Sequence, residues 1–85
     1  MNDIAQIKEK IKNFILETSY TSPENLNNET LIFEQGIMDS MGFISIIEFI
    51  EETFGVATTD NELIESNFES INAMADYINR KLNSN

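Results

Sequence analysis

The stretch from Glu34 to Val56, EQGIMDSMGFISIIEFIEETFGV, decides how this chain folds. Phe43, Ile46, Ile47, Ile50 and Phe54 recur at three- and four-residue steps, and Phe49 widens the same stripe. That period belongs to one buried face of a helix. The helix is predicted from about Ser40 to Thr53, with Asp39 or Ser40 as N-cap and Gly55 just past its end. Gly42 in the first turn lowers helix propensity by up to about 1 kcal/mol relative to alanine. A glycine there implies that something approaches the backbone closely.

Upstream, Asp3 to Thr18 reads as a first helix on a stripe of Ile4, Ile7, Ile11, Phe14 and Ile15, capped by Asn2 or Asp3. A loop of about twenty residues, rich in Ser, Thr and Asn, joins the two. One short turn is expected at Ser22-Pro23-Glu24, and Leu26, Leu31, Ile32 and Phe33 should peg the loop to the core. Long loops in small domains are often functional. Downstream, Asp60 to Glu65 (DNELIE) reads as a capped short helix and Asn67-Phe68-Glu69 as a turn. Ser70 then caps a last helix with Ile71, Met74, Ala75, Ile78 and Leu82 on its buried face, and Arg80 and Lys81 complement its negative end. The expected fold is all-α: a small four-helix bundle of three long helices and a short one, forming a single domain over residues 1–85.

Composition narrows the chemistry. The 85 residues include no Cys and no His, which removes disulfides, thiolate metal sites and the commonest general base. Net charge is −10, and all five basic residues lie near the ends: Lys8, Lys10, Lys12, Arg80 and Lys81. From Asn13 through Asn79 there are thirteen Asp or Glu residues and no Lys or Arg. Nucleic acid and anionic membrane are therefore poor partners, while a protein with a basic surface would be steered toward this one. The first residues are charged and amphipathic, unlike a signal peptide, and no segment has the roughly 20 apolar residues that span a bilayer. A cytoplasmic monomer is expected.

Ser40 stands where the central helix begins, but nothing near it can activate a hydroxyl. A Ser-His-Asp arrangement is impossible, lysines are confined to the terminal segments, and no G-x-S-x-G elbow is present. Hydrolase chemistry is excluded. Two readings stay open: Ser40 only caps the helix, or it receives a phosphorylated group where the helix N-terminus favours negative charge.

The residues that separate these readings are Gly36-Ile37-Met38-Asp39-Ser40-Met41 followed by an apolar-acidic helix. This stretch resembles the 4′-phosphopantetheine attachment site of acyl carrier proteins. The likeness covers nearly the whole chain: Phe54-Gly55-Val56 looks like the end of the family's second helix, and Asn67-Phe68-Glu69-Ser70-Ile71 like the lead into its last. The resemblance implies a non-enzymatic carrier of acyl-carrier fold with Ser40 as the attachment point. Asp39 would help engage a phosphopantetheinyl transferase, which draws the group from coenzyme A. The missing cysteine is then explained, because the reactive thiol belongs to the cofactor.

The same resemblance places Glu48, Glu51 and Glu52 where family carriers meet basic patches on loading and transfer enzymes. Met41, Ile44 and Glu48 form a second stripe beside the apolar one, which puts Ile44 in an exposed patch and leaves Met41 divided between core and interface. Two departures from fatty-acid carriers stand out. Two residues, not one, separate Gly36 from Asp39-Ser40, and Gly42 and Ser45 occupy positions where acidic residues are common. The Gly-x-x-Asp-Ser-Met-Gly form resembles stand-alone carriers for D-alanine or other amino acids and discrete carriers of specialised pathways. The C-terminal half lacks the tryptophan pattern of D-alanyl carriers. The expected cargo is an acyl or aminoacyl thioester of a fatty-acid, polyketide or other specialised pathway, a D-alanyl or aminoacyl (peptidyl-type) carrier being the alternative. The rival from another class is an acidic helical interaction module with no prosthetic group.

Overall fold

Asp3 starts the first helix by a reciprocal pairing with Gln6: its carboxylate accepts the Gln6 N–H at 2.8 Å, and Gln6 Oε1 accepts the Asp3 N–H at 3.3 Å. The computed structural model describes residues 3–83, so Asn2, the other candidate cap, lies outside the described residues. Four α-helices follow in order: α1 (Ile4–Thr18), α2 (Ser40–Phe54), α3 (Glu65–Phe68) and α4 (Ile71–Leu82), with single 3₁₀ turns at Pro23–Asn25 and Asp60–Glu62. The described residues contain no strand.

The apolar stripes meet in one core. Ile7, Ile11 and Ile15 of α1, Ile46, Ile50 and Phe54 of α2, Phe68 of α3, and Ile71, Met74, Ala75 and Ile78 of α4 are all buried. Burial of each large apolar side chain contributes about 1.5–3 kcal/mol. α1 packs most closely on α4, and α3 also rests on α4. Aromatic rings tie α2 to its neighbours: Phe49 stacks on Phe14 at 4.3 Å between centroids, and Phe43 meets Phe68 edge-on at 5.5 Å.

The long connection between α1 and α2 is pinned to the bundle. Leu26 and Ile32 are buried, Ile32 N–H donates to Glu69 O at 2.9 Å, and Asn72 N–H donates to Asn28 O at 2.9 Å. Leu31 and Phe33 are half-buried. Gly36, with φ of 76°, turns the chain so that the Ile37 and Met38 N–H groups both donate to Ile32 O. That turn delivers Asp39 to the start of α2.

Several expectations need correction. The short helix is not at Asp60–Glu65: only one 3₁₀ turn forms at Asp60–Glu62, and the stretch read as a turn, through Asn67-Phe68, is the end of α3. Glu62 is the cause. Its carboxylate accepts the Thr59 N–H at 3.1 Å and is drawn to Lys81 and Tyr77, which closes the turn. Leu63 and Ile64 then leave helical geometry before the chain coils again. Ile4 and Leu82 occupy the outermost positions of their helices and are 37% and 39% exposed, so neither belongs to the core. Tyr77, Met38 and Val56 are buried and were not expected to be. Tyr77 can be, because its hydroxyl donates to Glu62 Oε1 at 3.0 Å while its ring packs 5.1 Å from that of Phe68.

Candidate functional site

Asp39, not Ser40, caps α2. Its backbone is extended, its Oδ1 accepts the Gly42 N–H at 3.0 Å, and its carbonyl accepts the Phe43 N–H at 2.9 Å. Ser40 is thus the first helical residue, exposed to solvent, and its hydroxyl is not consumed by the cap. The reading in which Ser40 exists only to cap the helix is overturned. With the Gly42 N–H engaged by Asp39, the Ser40 and Met41 N–H groups are left without intrahelical acceptors, at the positive end of the helix dipole. A phosphodiester on Ser40 would sit against that end.

A cleft of about 600 Å³ opens beside Ser40. It is lined by Phe33, Gly36 and Met38 of the long loop, by the cap Asp39 with Ser40 and Phe43 of α2, and by Leu63 and Glu65. A group attached to Ser40 meets open space on this side and displaces no core residue. The residues present therefore fit a long covalent arm.

The other expected site residues separate into two sets. Met41 is 72% and Ile44 54% exposed, which settles Met41 on the surface. Glu48 and Glu52 are exposed on the same outward side of α2. Glu51 has a different neighbour: one of its oxygens accepts both the Thr58 N–H at 3.0 Å and the Thr58 hydroxyl at 2.6 Å. These bonds, the hydroxyl one foremost, hold its carboxyl below the ordinary carboxylate range. Glu51 fastens the segment after Gly55, whose φ of 69° ends the helix in the left-handed region.

Sequence reasoning missed three contributors. Met38 lies under the first turn of α2 and is the partner that Gly42 implied, because a Cβ on residue 42 would stand 2.9 Å from Met38 Sδ. Tyr20 is fully exposed near Met41 and lines a second hollow with it. Leu63 joins the cleft from a segment without periodicity. Neither Tyr20 nor Leu63 lies in a helix, so no pattern marks them.

A family model described as a phosphopantetheine attachment site matches residues 9–78, a span that contains Ser40 and all four helices in whole or part. Among curated proteins, none matches the chain. No helix among the described residues is long and apolar enough to cross a membrane.

Proposed function

The chain belongs to the family of phosphopantetheine attachment-site domains, which are non-catalytic carriers of covalent 4′-phosphopantetheine, and on that premise we propose that Ser40 is the residue that bears the group. The observation that carries this is the division of labour at the start of α2: Asp39 does the capping and leaves the hydroxyl one residue on exposed and, among the described residues, without a hydrogen bond. When bound, the group supplies a terminal thiol that holds cargo as a thioester.

The protein's own residues do the rest. Asp39 fixes the first turn of α2, which aims Ser40 outward and keeps the Ser40 and Met41 N–H groups free to offset phosphodiester charge. A phosphopantetheinyl transferase brings the base and the divalent metal, which Asp39 helps to engage. Met41, Ile44, Glu48 and Glu52 form the surface that loading and transfer enzymes with basic patches approach. The resemblance of the Gly36-x-x-Asp39-Ser40-Met41-Gly42 form to discrete carriers supports a carrier of a specialised pathway over a housekeeping fatty-acid one, with acyl or aminoacyl cargo.

Incubation with coenzyme A, magnesium and a broad-specificity transferase should add about 340 Da to the wild-type chain and nothing to Ser40→Ala. No gain on folded wild-type protein would reject the assignment. Charging of the loaded protein by an adenylating enzyme with an amino acid, rather than by an acyltransferase, would assign aminoacyl cargo.

A further inference from the structure

The side of the cleft formed by Leu63 and Glu65 has no hydrophobic footing of its own. From Ala57 through Asn67 no side chain is buried, so between Val56 and Phe68, both in the core, the chain crosses the surface as a strap. Burial of apolar area cannot fix its position. Polar contacts do, and they converge on Glu62. Its Oε1 accepts the Thr59 N–H at 3.1 Å, the Tyr77 hydroxyl at 3.0 Å and the Lys81 ammonium at 3.0 Å, and its Oε2 accepts Lys81 at 3.2 Å. The Glu62 carbonyl accepts the Ile64 N–H at 2.9 Å and the Asn67 side-chain amide at 2.8 Å. The strap is thereby tied to the second half of α4, and Leu63 directly follows the tie.

We propose that Glu62 is a positioning residue for the attachment site: latched to Lys81 and Tyr77, it holds Leu63 and Glu65 at the cleft beside Ser40, so that the far end of α4 sets how open the cleft stands. The other contacts of the strap are weaker or travel with it. The bonds from Leu63 N–H to Asp60 O and from Asn67 N–H to Ile64 O lie within the strap, and the Arg80–Asn67 contact is long, at 3.4 Å, and exposed. Glu62 and Lys81 are both half-buried, so their charge-assisted bonds are only partly screened. Tyr77 adds to the latch, because releasing Glu62 would leave its buried hydroxyl without that acceptor. With the latch open, the strap is held only by Thr58 on Glu51 at one end and Phe68 in the core at the other. A segment pinned at its ends and without buried contacts between them opens at low cost. That the cleft receives a group borne on Ser40 rests on the carrier reading; the dependence of the strap on Glu62 does not.

The test compares the full chain with Lys81→Met and Lys81→Arg by NMR, each without and with phosphopantetheine on Ser40. Without the group, amide exchange at Leu63, Ile64 and Asn67 should quicken about tenfold in Lys81→Met. The Leu63 methyls and the rings of Phe33 and Phe43 across the cleft should shift as well. Lys81→Arg, which keeps the ion pair, should restore both, and the amides of α1 and α2 should hold throughout. After loading, the shifts that the group induces at Leu63 and Glu65 should be largely lost in Lys81→Met. A merely structural tie would loosen Thr59 to Glu62 and leave the rings across the cleft unmoved, and that result would overturn the proposal. So would Lys81→Arg behaving like Lys81→Met, or wild-type loading that leaves Leu63 and Glu65 unshifted. The mass assay reports on Ser40 separately: a chain that fails to load rejects Ser40, while the comparison without the group still decides the latch.

Discussion

Met38 and Gly42 are fitted to each other: a Cβ on residue 42 would lie 2.9 Å from Met38 Sδ and 3.2 Å from Met38 Cβ. Met38 is one of the two residues between Gly36 and Asp39, and it is buried. The longer approach to Asp39-Ser40 therefore places a bulky side chain beneath the helix, and the missing Cβ makes room for it. In an open first turn, Gly42→Ala should gain up to about 1 kcal/mol of helix propensity. Here we expect no gain, or a loss, because Met38 must move. Urea denaturation of Gly42→Ala, Met38→Ala and the double variant should reveal a coupling of at least about 0.5 kcal/mol. Additive effects would show that the two side chains do not constrain each other.

The cap that Asp39 makes can be separated from the role in transferase engagement proposed for it. Asparagine is as good an N-cap as aspartate, so Asp39→Asn should keep stability within a few tenths of a kcal/mol, whereas Asp39→Ala should lose about 1 kcal/mol. Transferase loading of Ser40 should slow in both, because both remove the charge. Loading by Asp39→Asn at the wild-type rate would reduce Asp39 to a cap.

Glu48 and Glu51 should part company on charge reversal. Glu48→Lys changes an exposed position that makes no side-chain hydrogen bond or ion pair among the described residues, so the melting temperature should hold while loading slows and loses its salt sensitivity. Glu51→Lys removes the acceptor of two Thr58 hydrogen bonds, so it should lower the melting temperature as well. Equal stability of the two variants would mean that the Thr58 bonds contribute nothing.

Glu62 sets an acid limit on the fold. The Lys81 ammonium 3.0 Å away, helped by the Thr59 N–H, holds its carboxyl down to about 2. A folded-state value below the unfolded one stabilises the native state above about pH 4.5, and that contribution is lost as pH falls toward 2. Denaturation midpoints measured from pH 6 to pH 2.5 should fall more steeply in wild type than in Glu62→Gln. Tyr77, whose hydroxyl is pushed well above the usual phenol range by burial and then by Glu62, adds a loss of stability on the alkaline side, above pH 10.

Helix-forming stretches were legible because their signals are local. The apolar stripes of α1, α2 and α4 follow a 3.6-residue period, and caps such as Asp3 and Ser70 act on backbone groups three residues away. Ser40 stood out as a candidate site because the chain has no histidine to activate it, its lysines lie in the terminal segments, and its flanking motif is distinctive. What remained hidden depends on groups far apart in sequence. Glu62 ends its turn by reaching Lys81 and Tyr77 across 19 and 15 positions. Tyr77 could be buried only once that partner was in place. Phe14 and Phe49 read as ordinary core residues from their spacing, and only the approach of α1 to α2 leaves them stacked, partly exposed and overlooked by Glu48 and Glu52. Short-range hydrogen bonding and hydrophobic period are written in neighbouring residues. Which carboxylate finds a lysine, and which is left facing an aromatic groove, follows from how the helices pack.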